Sequence, residues 1–188
     1  AGERVLTSLE RWLWQRLRLR LNREKSHVAR PWARKFLGYT VTWDRAARLR
    51  AAPAAVQRLK THVRGLIARG RGRRLASTVA DLSRYFRGWV AYFRLAEVKA
   101  SFEDVDKWVR RKLRGILWRQ WKRPRTRIRE LCRRGLDLDR ARQSAFNGRG
   151  PWWNAGASHM HAAVPSAELR RLGLVSLLEE HQRLKHPA

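Results

Sequence analysis

VDKWVRRKLRGILWRQWKRPRTRIRE, residues Val105 to Glu130, is the stretch on which both fold and function turn. Val105, Trp108, Val109, Leu113, Ile116 and Leu117 recur at helical spacing and form one apolar stripe. The spacing predicts a helix over Phe102 to Lys122, broken by Pro124. From Lys107 to Arg134 there are 13 Lys or Arg and one acid, Glu130. The stripe is complete without the basic residues. Arg110, Arg111, Lys112, Arg114, Arg119 and Lys122 are therefore expected on or beside the outer face. Solvated helix faces usually mix signs, because i,i+4 ion pairs stabilise a helix by about 0.2–0.5 kcal/mol each. Here the acids are missing, so the like charges oppose folding until an anion arrives. Phosphates would release counterions as they bound. Trp118 and Trp121 have two roles open to them. They either stack on unpaired bases, at about 1–3 kcal/mol per base, or seal the helix against its neighbour.

The whole chain shares this bias. Its 188 residues carry a formal net charge of +29, with a pI of about 11.9. A charge that large on a small chain repels itself and calls for an anionic partner. Nucleic acid leads, and an anionic membrane surface comes second. The 36 arginines and 8 lysines favour the planar fork that grips phosphate over the point charge. At 44 % apolar residues a core is available, and wholesale disorder is excluded. The lone Cys132 excludes an internal disulfide and a cysteine zinc site, and fits a reducing, cytoplasmic setting. No apolar run reaches the roughly 18 residues of a membrane span. The first residues also lack the apolar stretch of a signal peptide.

Periodicity predicts a mainly α fold. An amphipathic helix is expected over residues 3–18, then an alternating stretch and a turn at NREKS. FLGYTVT (Phe36 to Thr42) reads as a strand, with RLRA (Arg48 to Ala51) as its short partner. Pro53 starts a helix with Val56, Leu59, Val63 and Ile67 inward. RGRGRR (Arg69 to Arg74) is a linker. A long helix from about Ala76 buries Val79, Leu82, Phe86, Val90 and Phe93, flanked by Tyr85, Trp89 and Tyr92. Asp104 and Asp106 are placed in the first turn of the basic helix, where carboxylates suit the dipole. A short basic helix (Arg125 to Arg134, ended by Gly135) and another over Leu138 to Ala145 follow. Asn147 to Ser158 reads as a loop. Ser166 is expected to cap a helix ending at Gly173, and Ser176 to start the last one.

Chemistry-bearing motifs are absent. There is no P-loop and no nucleophile elbow. His159 and His161 lack further ligands at metal spacing. The six Asp are scattered, whereas a two-metal polymerase or nuclease site needs them clustered. No catalytic residue and no metal ligand is assigned, and catalysis by this chain alone is not expected.

Several stretches, in this order, resemble the C-terminal part of group II intron-encoded reverse transcriptase/maturases. LRLRLNREKS (Leu17 to Ser26) is similar to the last block of the polymerase palm, and KFLGYTVT (Lys35 to Thr42) to the passage into the thumb. RGWVAYF (Arg87 to Phe93), DKWVRRKLRGILWRQWKR (Asp106 to Arg123), GPWWN (Gly150 to Asn154) and LGLVSLL (Leu172 to Leu178) resemble the maturase-specific region. The resemblance covers nearly the whole chain. It implies a palm remnant over residues 1–51 and a helical thumb and maturase domain over 52–188.

It also implies function. Such proteins bind their own intron RNA, help it reach a splicing-competent fold, and copy it by target-primed reverse transcription. Intron RNA is the implied partner, with target DNA and the upstream polymerase part as further ones, in a bacterial cytoplasm. The polymerase signature Y-A-D-D would lie upstream of Ala1, so the chain reads as a fragment of a longer or interrupted frame. Mg²⁺ is implied only for that polymerase site and for the RNA. By position, Arg110, Arg111, Arg114, Arg119, Lys122 and Arg123 match the helix expected to contact intron RNA. Arg125, Arg127, Arg129, Trp118 and Trp121 extend that surface. Arg20, Asn22 and Lys25 match the block bordering primer and template. Gly38 serves close backbone approach, and Trp152 and Trp153 brace the domain or touch RNA. The alternative is a basic helical DNA- or rRNA-binding protein with no polymerase connection.

Overall fold

The computed structural model describes residues 2–69 and 72–186. The fold is mainly helical, with one small antiparallel sheet. The first helix, α1 (Gly2–Leu17), is amphipathic in sequence, yet none of its side chains is buried. Val5, Leu9, Trp12 and Leu17 stay exposed. The helix is tied to the coil after it by the Arg23–Glu10 ion pair. A short 3₁₀ turn, Pro31–Ala33, leads to β1 (Tyr39–Val41), which pairs with β2 (Leu49–Ala51) in the register Tyr39↔Ala51.

Both strands are shorter than the stretches predicted for them. Phe36 is taken up in a tight bridge to Tyr39, with Leu37 and Gly38 at positive φ between them. Gly38 is required twice over. Its φ is +78°, and a Cβ there would stand 3.1 Å from the Phe93 ring. The sheet is thereby pinned to the end of the third helix. Tyr39 Oη donates to the Tyr92 carbonyl (2.6 Å), and Tyr92 Oη donates to the Leu37 carbonyl (2.8 Å).

The core is built by α2 (Pro53–Arg69), α3 (Leu75–Tyr92) and α4 (Ala100–Gln120), and continues into the later chain through residues such as Leu131, Met160, Leu169 and Leu177. Leu59 and Val63 of α2 are fully buried, and Val56 and Ile67 half-buried beside them. On α3, Val79, Leu82, Phe86, Val90 and the following Phe93 are all buried, as their period requires. Tyr85 and Trp89 are half-buried against the core, while Tyr92 is exposed. The linker expected between α2 and α3 falls partly at residues 70 and 71, outside the described residues.

Pro124 opens α5 (Pro124–Arg133), and Gly135 at φ +88° ends that segment. Asp137 caps α6 (Leu138–Ala145) by accepting from Asp139 N and Arg140 N. The stretch expected to be a loop instead holds α7 (Pro151–Ala155), followed by α8 (Ser158–Ala163). Pro151 occupies the first turn of α7, where its missing N–H is not needed. In α9 (Ser166–Arg171) the capping position is Pro165 and Ser166 is already helical, so Ser166 is not the cap. Gly173 at φ +91° follows α9, and Ser176 caps α10 (Leu177–Lys185) through Glu179 N.

Asp106 has a different role from the one its sequence position suggests. It lies beyond the first turn of α4, is only 5 % exposed, and points at the start of α10. It accepts hydrogen bonds from Leu177 N (2.9 Å), Leu178 N (3.2 Å) and Ser176 Oγ (2.6 Å). It therefore satisfies orphan donors of a helix some 70 residues away rather than the dipole of its own.

Candidate nucleic-acid interface

Helix α4 buries its stripe against α3 and α10 and carries α7 along another side. Helix α7 packs across α4 at Gly115. A Cβ there would lie 3.6 Å from Ala155 Cβ and 3.9 Å from the Pro151 carbonyl oxygen. This contact sets Trp152, at the start of α7, over the basic side of α4.

Trp152 and Trp108 there organise a ladder of cations. The Arg111 guanidinium lies 4.1 Å from the Trp152 ring centre, and the Lys112 ammonium 4.8 Å. Arg111 also donates from Nε and Nη2 to the Trp152 carbonyl, at 3.2 and 3.0 Å. Lys112 is 5.6 Å from the Trp108 ring, and Arg64 of α2 reaches the same ring at 5.4 Å. An indole holds a cation by its quadrupole, at about 0.5–2 kcal/mol, without neutralising it. The charges are thus fixed in place but remain available.

Between α2, α4 and α7 runs a groove of about 580 Å³. Ile67, Ala68, Gly115, Ile116, Pro151 and Trp152 supply apolar surface, and Arg64, Lys112, Arg119 and Lys122 supply charge. Among the described residues no carboxylate lines it. Among the described residues none of these four cations is in an ion pair, whereas the ion pairs that do form lie elsewhere. The Lys112 ammonium is held below the usual lysine range by burial, and then by the Arg64 and Arg119 charges. A phosphate seated here would relieve that repulsion.

The residues expected from sequence divide into several groups. Arg119 and Lys122 line the groove, and Arg111 belongs to the ladder beside it. Arg123 and Arg125 are exposed just beyond, and Arg129 is exposed within 3.9 Å of Glu130. Arg110 points elsewhere, into a pocket it shares with Arg170 and Glu179. Arg114 does not belong to the outer face. It is 4 % exposed, and its Nε donates to the Val164 carbonyl at 2.9 Å. Burial, then the Arg110 charge, lowers its pKa. The apolar stripe predicted one covered side of α4, but the chain around α8 covers a second.

Trp118 and Trp121 take the sealing role. Trp118 is fully buried and Trp121 6 % exposed, so neither offers a face to a base. Arg127 lies over Trp118 at 4.6 Å and donates to the Trp121 carbonyl at 2.9 Å, so it is a packing residue. Arg134 covers Trp121 at 5.0 Å. Trp152 and Trp153 are both part-exposed, and Trp152 does brace the ladder. Arg20, Asn22 and Lys25 are exposed in the coil after α1. Asn22 Oδ1 accepts from Lys25 N (3.1 Å), and Arg20 leans on Trp14 at 5.3 Å. Arg64 was not singled out from sequence, because it sits on a different helix from the basic run.

Among the described residues no group of three His, Cys, Asp or Glu is placed to hold a metal, and no helix is long and apolar enough to cross a membrane.

Residues 56–135 match the family model of the group II intron, maturase-specific domain. This segment is a group II intron maturase-specific domain. No curated protein matches the chain. The maturase-specific segment starts one turn into α2 and ends at the glycine that closes α5. It includes all four groove cations and Trp108, whereas the α7 wall with Trp152 lies outside it. The match supports a group II intron maturase-related role.

Proposed function

We propose that the chain binds folded group II intron RNA through the face made by α2, α4 and α7, and so favours the splicing-competent RNA fold. Four cations held around a groove without a carboxylate carry this reading. Arg64, Lys112, Arg119 and Lys122 would grip phosphates, with Arg123 and Arg125 extending the track along the end of α4. Arg20, Asn22, Lys25 and Arg129 remain candidates for outlying contacts. Binding that is stronger on the native RNA fold than on its alternatives shifts the RNA toward that fold, by as much as the two affinities differ. Joined to a polymerase part, the same grip would hold the intron during its copying, with target DNA as a second nucleic acid.

The test replaces Lys112, Arg119 and Lys122 together by Glu. Affinity for intron RNA is expected to fall more than about a hundredfold near 150 mM salt, with the helical circular dichroism unchanged. Unchanged binding would place the interface elsewhere. Equal wild-type affinity for intron RNA and for random duplex would favour a general basic nucleic-acid binder.

A further inference from the structure

The groove has more apolar surface than phosphate binding needs. A track for a duplex backbone requires charge and polar donors on a convex or flat face. Here Ile67, Ala68, Ile116 and Pro151 lie inside a concavity, with Lys112 and Arg119 at its walls. From this we infer that the groove takes a single unpaired ribonucleotide extruded from the RNA. Its base lies on the apolar surface of α2 and α4, and its flanking phosphates lie on Lys112, Arg119 and Lys122. The inference rests on the reading that this face binds RNA, and adds the form of RNA that it selects.

Two observations and one general property of RNA support this occupant. The volume, about 580 Å³, falls in the range of small-ligand sites. The Trp152 ring is already engaged by Arg111 at 4.1 Å and Lys112 at 4.8 Å, so the indole serves as a wall that fixes cations. The base must then rest on the aliphatic surface, which tolerates any base and gives little sequence preference. Finally, A-form RNA hides its base edges in a deep groove, so proteins reach bases chiefly where they are bulged, looped or frayed. A surface with both apolar depth and unneutralised charge is suited to a bulge and wasted on a continuous duplex.

The experiment compares two RNA hairpins that differ only by one unpaired nucleotide in the stem, each titrated with the full chain. The bulged hairpin is expected to bind about tenfold tighter, the equivalent of about 1.4 kcal/mol. Ala68→Trp fills the groove from α2 without changing charge, and Gln120→Trp fills it from α4. Each is expected to bring the ratio of bulged to paired affinity, measured in the same folded variant, from about ten to about one. Equal wild-type binding of the two hairpins would overturn the inference while leaving RNA binding intact. So would a preference that survives both substitutions in folded protein. Loss of all RNA binding by the charge-reversed protein together with intact bulge preference in the filled variants would likewise place the nucleotide outside the groove. Displacement of the bulged hairpin by adenosine 5′-monophosphate below about 1 mM would identify a free nucleotide as the ligand, and so overturn the inference too.

Discussion

Replacing Asp106 by Ala tests how the C-terminal helix is held. The carboxylate is 5 % exposed and accepts three hydrogen bonds at 2.6, 2.9 and 3.2 Å. Two come from backbone N–H groups at the start of α10, which have no helical partner of their own. Leaving a buried donor unsatisfied costs about 1–3 kcal/mol, and losing a helix cap about 0.5–2 kcal/mol. Some donors would recover water, so the expected loss is about 3 kcal/mol rather than the sum. For a chain of this size that lowers the melting temperature by roughly 6–12 °C. Ser176→Ala removes one of the three bonds and the Glu179 N contact, and should cost about 1 kcal/mol. Denaturant titration followed by circular dichroism gives both values. Hydrogen exchange should show α10 opening first, before α3. A loss below about 0.5 kcal/mol for Asp106→Ala, or unaltered exchange in α10, would refute this account of the cap.

Two further predictions concern stability. Trp118→Ala should destabilise the fold by about 3–5 kcal/mol, as for other large buried aromatics. Where the variant is still folded, its RNA affinity should stay within about twofold; a base-stacking Trp118 would instead lose affinity without losing stability. His181 is fully buried, edge-on to Phe102 at 4.8 Å, and burial, followed by the Lys185 charge, lowers its pKa below the usual histidine value. The unfolded chain therefore takes up a proton here before the folded one does. Stability should hold above about pH 6.5 and fall as the pH drops below it, by up to about 1.4 kcal/mol per unit for this group. His181→Phe should flatten that decline, and an unchanged pH profile would exclude the assignment. His159 and His161 are shifted the same way, so part of the slope remains.

Long periodic stretches were legible in the sequence, and long-range contacts were not. The α3 stripe from Val79 to Phe93 is buried residue for residue, because a 3.6-residue period has one reading when it is unbroken. The same logic placed Arg119 and Lys122 on the open side of α4. It failed for Arg114, because what covers it comes from 50 positions later, at Val164, and it left the two roles of Trp118 open, since His159 beside it is also distant in sequence. Helix α7 is five residues long, too short for periodicity to show. Its signal was Pro151 after a glycine, a common helix start that was read as a loop. Asp106 was assigned to its own dipole because the nearest helix end in sequence was favoured over one brought near by folding. The exposed α1 is the converse case. Its amphipathic pattern shows the helix but not what would cover its apolar side, and the structure leaves Val5, Leu9 and Trp12 uncovered.

The salt dependence of RNA binding addresses the central claim most directly. Each phosphate contact contributes about 0.7–0.9 to the slope of log affinity against log salt. With Arg64, Lys112, Arg119 and Lys122 all replaced by Gln, the slope measured on folded intron RNA should become shallower by about 3. Slopes that coincide for the wild-type and substituted chains would show that the cations around the groove do not hold the RNA.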